Sequence, residues 1–82
     1  MEFDFSRLRG RIVERYGSYT AFAESLGKSS VWISNRLNNV VHWSSDEIHE
    51  VCQPERLDIP PEEIHLFFYA RKFRLTEQGR PV

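Results

Sequence analysis

Only one cysteine, Cys52, occurs among the 82 residues, so no intrachain disulfide can form, and a reducing cytosol suits the chain. No stretch approaches the roughly eighteen consecutive apolar residues that a transmembrane helix needs, so no membrane partner is expected. The opening MEFDFSRLRG starts with acids and lacks a continuous apolar run, so it does not read as a signal peptide. Glycine and proline number four each, and neither repeats nor low-complexity tracts occur. There is no excess of positive charge either: eleven Lys and Arg face twelve Asp and Glu, a formal net charge of −1. Nucleic-acid-binding domains are commonly basic, so the bulk charge argues weakly against that class. What is present is an ordinary globular composition, 40% hydrophobic and 28% charged, of a length that supports a single core. A domain this small, with no covalent staple, needs an efficient helical core or a partner.

The distribution of charge says more than its sum. Residues 1–42 carry six basic and four acidic groups, or +2. Residues 43–63 carry Arg56 against seven acids, or −6, and residues 64–82 carry four basic groups against Glu77, or +3. A chain zoned in this way can turn its negative middle away from a polyanion.

Punctuation divides the chain into five short helices. Asp4 or Ser6 can cap the first, with Leu8, Ile12 and Tyr16 on one stripe and Gly17 as the stop. Gly10 inside it signals either close approach of another backbone or a tolerated defect. Ser18 or Thr20 opens a second helix, TAFAESL, which Gly27 ends. Ser29 caps a third that runs to about Asn38. Two short helices separated by so few residues cannot lie antiparallel, so they cross steeply as a helix-turn-helix. WSSDEI then places Ser44 and Glu47 as a capping box, with Trp43 and Ile48 as a hydrophobic staple. Pro61, Glu62 and Glu63 open the fifth helix, with Ile64, Phe67 and Phe68 facing inward. After Ala70 the pattern is lost, so a domain at 1–70 and an extension or tail at 71–82 are expected.

Catalysis and metal binding find little support. His49 and Cys52 stand i, i+3 on one helix, but two ligands fall short of a site and Cys52 faces the core. No phosphate-cradling glycine loop or nucleophile–base set occurs, so neither an enzyme nor a cofactor is expected.

The segment from Tyr19 to about Leu37 resembles the helix-turn-helix of phage Cro and repressor proteins of the lambda-repressor-like class. The matching places are Ala23, which lets the helices cross closely, Gly27, which takes positive φ in the turn, and Ile33, which plugs the crossing. Lys28, Arg36 and Tyr19 depart from the class pattern. FDFSRLRGRI and the segments DEIHEVC and LDIPPEEIHLFF also look like small Cro-like phage regulators of Gram-positive hosts. The resemblance implies an all-α, five-helix domain acting as a cytoplasmic, nucleoid-associated regulator of a phage or prophage switch.

With Ile33 and Leu37 inward, Val31, Asn35 and Asn38 point outward along the third helix. The class docks this helix in the major groove, so Ser30, Val31, Ser34 and Asn35 are the expected base readers on double-stranded operator DNA. Ser18, Tyr19, Lys28, Ser29, Arg36, Asn38 and His42 are the candidate phosphate contacts, although Ser29 is first a helix cap and Asn38 and Asn39 suit a helix end. Trp32 has three readings: the sugar–phosphate wall, another helix, or a protein partner. A homodimer would place two reading helices about one DNA turn apart, with Phe67, Phe68, Tyr69 and Phe73 as candidate contacts, although Phe67 and Phe68 are first core residues. The alternative function, which the resemblance permits, is a protein-binding modulator that binds an opposing phage repressor and blocks its DNA-binding face.

Overall fold

The computed structural model describes residues 3–71. Five helices follow one another: α1 (Ser6–Tyr16), α2 (Tyr19–Ser25), α3 (Ser30–Leu37), α4 (Ser45–Val51) and α5 (Ile64–Phe68). A 3-10 turn, Pro61–Glu63, leads into α5, and Pro61 takes the early-turn place where its missing N–H costs nothing. Among the described residues the only extended pairing is a single antiparallel bridge between Phe3 and Arg71. The fold is all-α. Residues 72–82 lie outside the described residues, and with them most of the expected tail and Phe73.

The predicted caps form. The Ser18 hydroxyl accepts from Ala21 N–H at 3.0 Å and the Ser29 hydroxyl from Trp32 N–H at 3.1 Å. Ser44 and Glu47 complete both halves of the capping box on α4. Gly17 and Gly27 adopt φ of +86° and +75°, the left-handed region that stops α1 and α2. At α1 the arrangement differs slightly from expectation: the cap residue is Phe5, and Asp4 reaches past it to accept from Ser6 N–H at 2.9 Å. Gly10 is a tolerated defect, because a Cβ added there meets nothing within 4 Å.

α2 packs on both α1 and α3, and α5 lies against α1. Phe22, Phe68, Leu8, Ile12, Ile33, Leu57 and Val51 are fully enclosed. Leu57 and Ile59 reach this core from the loop after α4, where no helical periodicity marks them. Phe67 and Phe68 are buried as well, which removes them from any dimer contact. Cys52 closes the α4 side, and burial pushes its thiol up to about 11.

Three arginines of α1, which share no stripe in the sequence, act as carbonyl clamps. Arg9 donates to Leu37 O at the end of α3, Arg11 to Leu57 O and Asp58 O, and Arg15 to Arg56 O and Pro54 O. Just past the Leu37 carbonyl that Arg9 clamps, Asn39 takes φ of +63° and its carboxamide brackets Phe3. The amide donates to Phe3 O and the oxygen accepts from Phe3 N–H, both at 3.0 Å. Asp4 N–H donates to Ala70 O, so both ends of the described chain meet beside the α3–α4 loop.

Candidate interaction surface

Among the described residues, the outer face of α3 combines exposed polar groups with large exposed apolar ones. Ile33 and Leu37 anchor it, at 1% and 3% exposure. Ser30, Val31 and Ser34 are then turned to solvent and Asn35 is half-buried. Val31 is 63% exposed. Beyond the helix end, the backbone N–H groups of Val40 and Val41 both donate to Asn35 O, at 2.8 and 3.1 Å. That wraps the loop onto the end of α3 and leaves Val40 beside it, 68% exposed. Val31 on the helix and Val40 in the loop are thus both open to solvent, with Asn35 half-buried on the same helix.

On one flank of α3 lies a groove of about 450 Å³ between the start of α2 and the length of α3. Val31 and Tyr19 form its walls, Ile33 and Leu37 its floor, and Thr20, Ser30, Ser34, Asn38 and Arg9 its polar rim. Arg9 stacks over the Tyr19 ring at 5.6 Å and donates to Asn38 Oδ1 at 2.9 Å, while Asn38 donates to the Ser34 hydroxyl.

On the other flank stands Trp32. It is half-buried and leans toward α4, meeting Trp43 edge-on at 5.7 Å, and Trp43 in turn meets Phe68 at 5.2 Å. The Arg36 guanidinium covers the Trp32 ring at 4.3 Å and grips Glu47 with two bonds of 3.0 and 2.9 Å. Those bonds hold the Glu47 carboxyl below its ordinary value, against the opposing pull of burial. Lys28 lies 5.7 Å from the same ring. A second, smaller notch of about 120 Å³ opens here, with Leu26, Trp32 and Val51 as apolar walls and Lys28, Asp46, Glu47 and Glu50 at its edge.

The residues expected to contact phosphate fall into two groups. Ser18 and Ser29 are helix caps, Asn38 is bonded to Arg9 and Ser34, and Arg36 is held by Glu47 and Trp32. Tyr19 sits in the groove, while Lys28 and His42 are exposed. Four further residues of this surface carry no signal in the sequence: Arg9, Val40, Asp46 and Glu50. Their part in it depends on how neighbouring elements dock, and no local spacing records that.

The sequence profile of a family described as "Protein of unknown function (DUF739)" matches residues 1–71. The chain belongs to the DUF739 family. A solved structure similar to this DUF739 chain is that of the modulator of repression (MOR) of the temperate bacteriophage TP901-1 from Lactococcus lactis. The two are 34% identical with a TM-score of 0.74, over 90% of this chain and 97% of that one. No curated protein matches the DUF739 chain. The fold likeness is to a small phage regulator named for modulating repression.

Proposed function

We propose that this chain is a protein-binding modulator of a phage genetic switch, which binds an opposing phage repressor and covers its DNA-binding face. The observation that carries this reading is the chemistry of the α3 surface. A DNA reader needs unengaged cations around its reading helix, because phosphate contacts supply most of the affinity. Here Arg9, Arg11, Arg15, Arg36 and Arg56 all donate to groups of the protein itself. Of the basic residues in the described chain, that leaves Arg7, Lys28 and Arg71, with the donors that Arg9 keeps on Nε and Nη1.

What the face offers instead is apolar. Val31, Val40 and Val41 are 63%, 68% and 38% exposed. Burying such surface against a protein gains about 25 cal/mol per Å², whereas a phosphate wall returns nothing for it. The half-buried Trp32 beside them belongs to the residue type most enriched in protein–protein hot spots. The likeness to a modulator of repression, which pairs this fold with a role in a phage switch, supports the same reading.

Direct operator binding keeps one specific observation in its favour. The Asn35 carboxamide makes no hydrogen bond within the described residues and stands one turn after Val31 on the outer side of α3, where it suits an adenine edge. A salt titration separates the two readings. The purified chain is measured against random and phage DNA and against the repressor encoded by the same phage. The modulator reading expects tight repressor binding and no detectable DNA binding at low salt. A slope of several units in log K against log salt for DNA, without repressor binding, overturns it.

A further inference from the structure

The two flanks of α3 differ in sign. The groove at Arg9, Tyr19, Thr20, Ser30, Ser34 and Asn38 has hydroxyls, an amide and a guanidinium at its rim, and no carboxylate of the described residues lines it. Arg9 uses Nη2 for both of its bonds, which leaves donors on Nε and Nη1. The notch beside Trp32 has three carboxylates, Asp46, Glu47 and Glu50, against the single amine of Lys28. Two further cations approach it, and both are largely covered. Arg36, 14% exposed, is locked on Glu47, and Arg56, 26% exposed, lies 3.6 Å from Glu50 and donates to Ser25 O. Glu50 by contrast is 58% exposed and Asp46 is open to solvent. Solvent, or a partner, therefore meets Asp46 and Glu50 against Lys28 on this side and only Arg9 on the other.

We propose that α3 divides a docking face into two subsites of opposite sign. Its occupant is a polypeptide surface that sets an acidic group against the Arg9–Tyr19–Ser34 groove and a basic group against the Trp32–Asp46–Glu50 notch, with apolar side chains across Val31. The proposal rests on the protein-binding reading above and adds the partner's chemistry to it. Charge complementarity carries it. A uniform polyanion laid along α3 satisfies the groove and is repelled at the notch, and a uniformly basic surface meets the reverse. Only an occupant with both signs, in register with the two flanks, satisfies both. Such patterning sets register and excludes wrong partners.

The test uses two charge changes chosen to leave the fold intact. Thr20 is exposed, makes no side-chain bond among the described residues and lies in the first turn of α2, where Thr20→Glu agrees with the helix dipole. Glu50 lies in the last turn of α4, where Glu50→Lys agrees with it equally, at the loss of a 3.6 Å ion pair with Arg56, which keeps its bond to Ser25 O. Each full-length variant is titrated with the repressor encoded by the same phage and with a random DNA duplex, and folding is followed by circular dichroism. Thr20→Glu and Glu50→Lys should each bind the repressor on the order of tenfold more weakly, and Thr20→Lys should bind it more tightly. If Glu50→Lys tightens repressor binding, the partner face is uniformly anionic and the two-signed subsites are wrong. If Thr20→Glu tightens it, the partner face is uniformly cationic and the subsites are equally wrong. Wild-type affinity in both variants also overturns the subsites while leaving the protein-binding function standing. Failure of the unmodified chain to bind the repressor at all, with binding to the duplex instead, removes that function itself.

Discussion

Arg36 and Glu47 are joined by two charge-assisted hydrogen bonds, Nε to Oε1 at 3.0 Å and Nη2 to Oε2 at 2.9 Å. The pair fastens α3 to the first turn of α4. Glu47 Oε1 also accepts from the Ser44 backbone N–H at 3.0 Å, so one carboxylate closes the capping box and the interhelix bridge together. With Arg36 fixed in this way, its guanidinium forms a lid on Trp32, and Trp32 is set edge-on to Trp43. A side chain expected to contact phosphate is thereby a strut that shapes the face around it.

Replacing Glu47 by Gln should therefore lower stability by about 1–3 kcal/mol, because it leaves a mostly buried guanidinium without its charged acceptor. The pH dependence follows from the direction of the shift. Arg36 lowers the folded-state value of Glu47 below the ordinary 4.5. A depressed carboxyl contributes stability above its unfolded value and loses it as pH falls through the folded one. Urea unfolding from neutral pH to about pH 3 should show this decline in the wild type and a shallower one in Glu47→Gln. Identical acid limbs in the two proteins would show that the bridge contributes nothing.

Gly10→Ala should stabilise the protein by up to about 1 kcal/mol, since the site is exposed, mid-helix and open around the missing Cβ. The midpoint of thermal unfolding should rise with no change in partner binding. A fall in the midpoint would mean that the space around the missing Cβ is not open in the folded chain.

Much of the scaffold was legible because it is local. Ser18, Ser29 and Ser44 each announce a helix start within four residues, Gly17 and Gly27 each announce a stop, and the 3.6-residue period picks out Leu8, Ile12, Ile33 and Leu37. The groups that were not legible act across long separations. Arg9 reaches Leu37, Arg11 reaches Leu57 and Asn39 brackets Phe3, at separations of 28, 46 and 36 residues. A surface arginine and a carbonyl clamp have the same sequence, and only the docked helices distinguish them. The same holds for the α3 face. Spacing sorted Val31 and Asn35 outward, but whether Arg36 was available there depended on Glu47, eleven residues away.

Asn39 should resist substitution for two separable reasons. Asn39→Ala loses both bonds to the Phe3 backbone and places a Cβ residue in left-handed geometry, while Asn39→Gly loses the bonds and keeps the geometry. Ala should cost about 1–3 kcal/mol and Gly measurably less. Amide hydrogen exchange at Phe3 should rise in both variants. Unchanged protection at Phe3 would remove Asn39 as the clasp on the N-terminal segment.

Val31→Lys places the question of function on a single side chain. Val31 is 63% exposed, so the substitution should change folding stability by no more than about 0.5 kcal/mol. For an operator reader, a cation added to the centre of the reading face strengthens nonspecific DNA binding and steepens its salt slope by about one unit. For a protein-binding modulator, the same change removes an apolar contact and sets an ammonium group in a desolvated interface, weakening repressor binding by about tenfold or more. The two readings thus require opposite signs from one variant. Parallel titrations against a random duplex and the phage repressor read both, and tighter DNA binding with unaltered repressor affinity would return the α3 face to DNA.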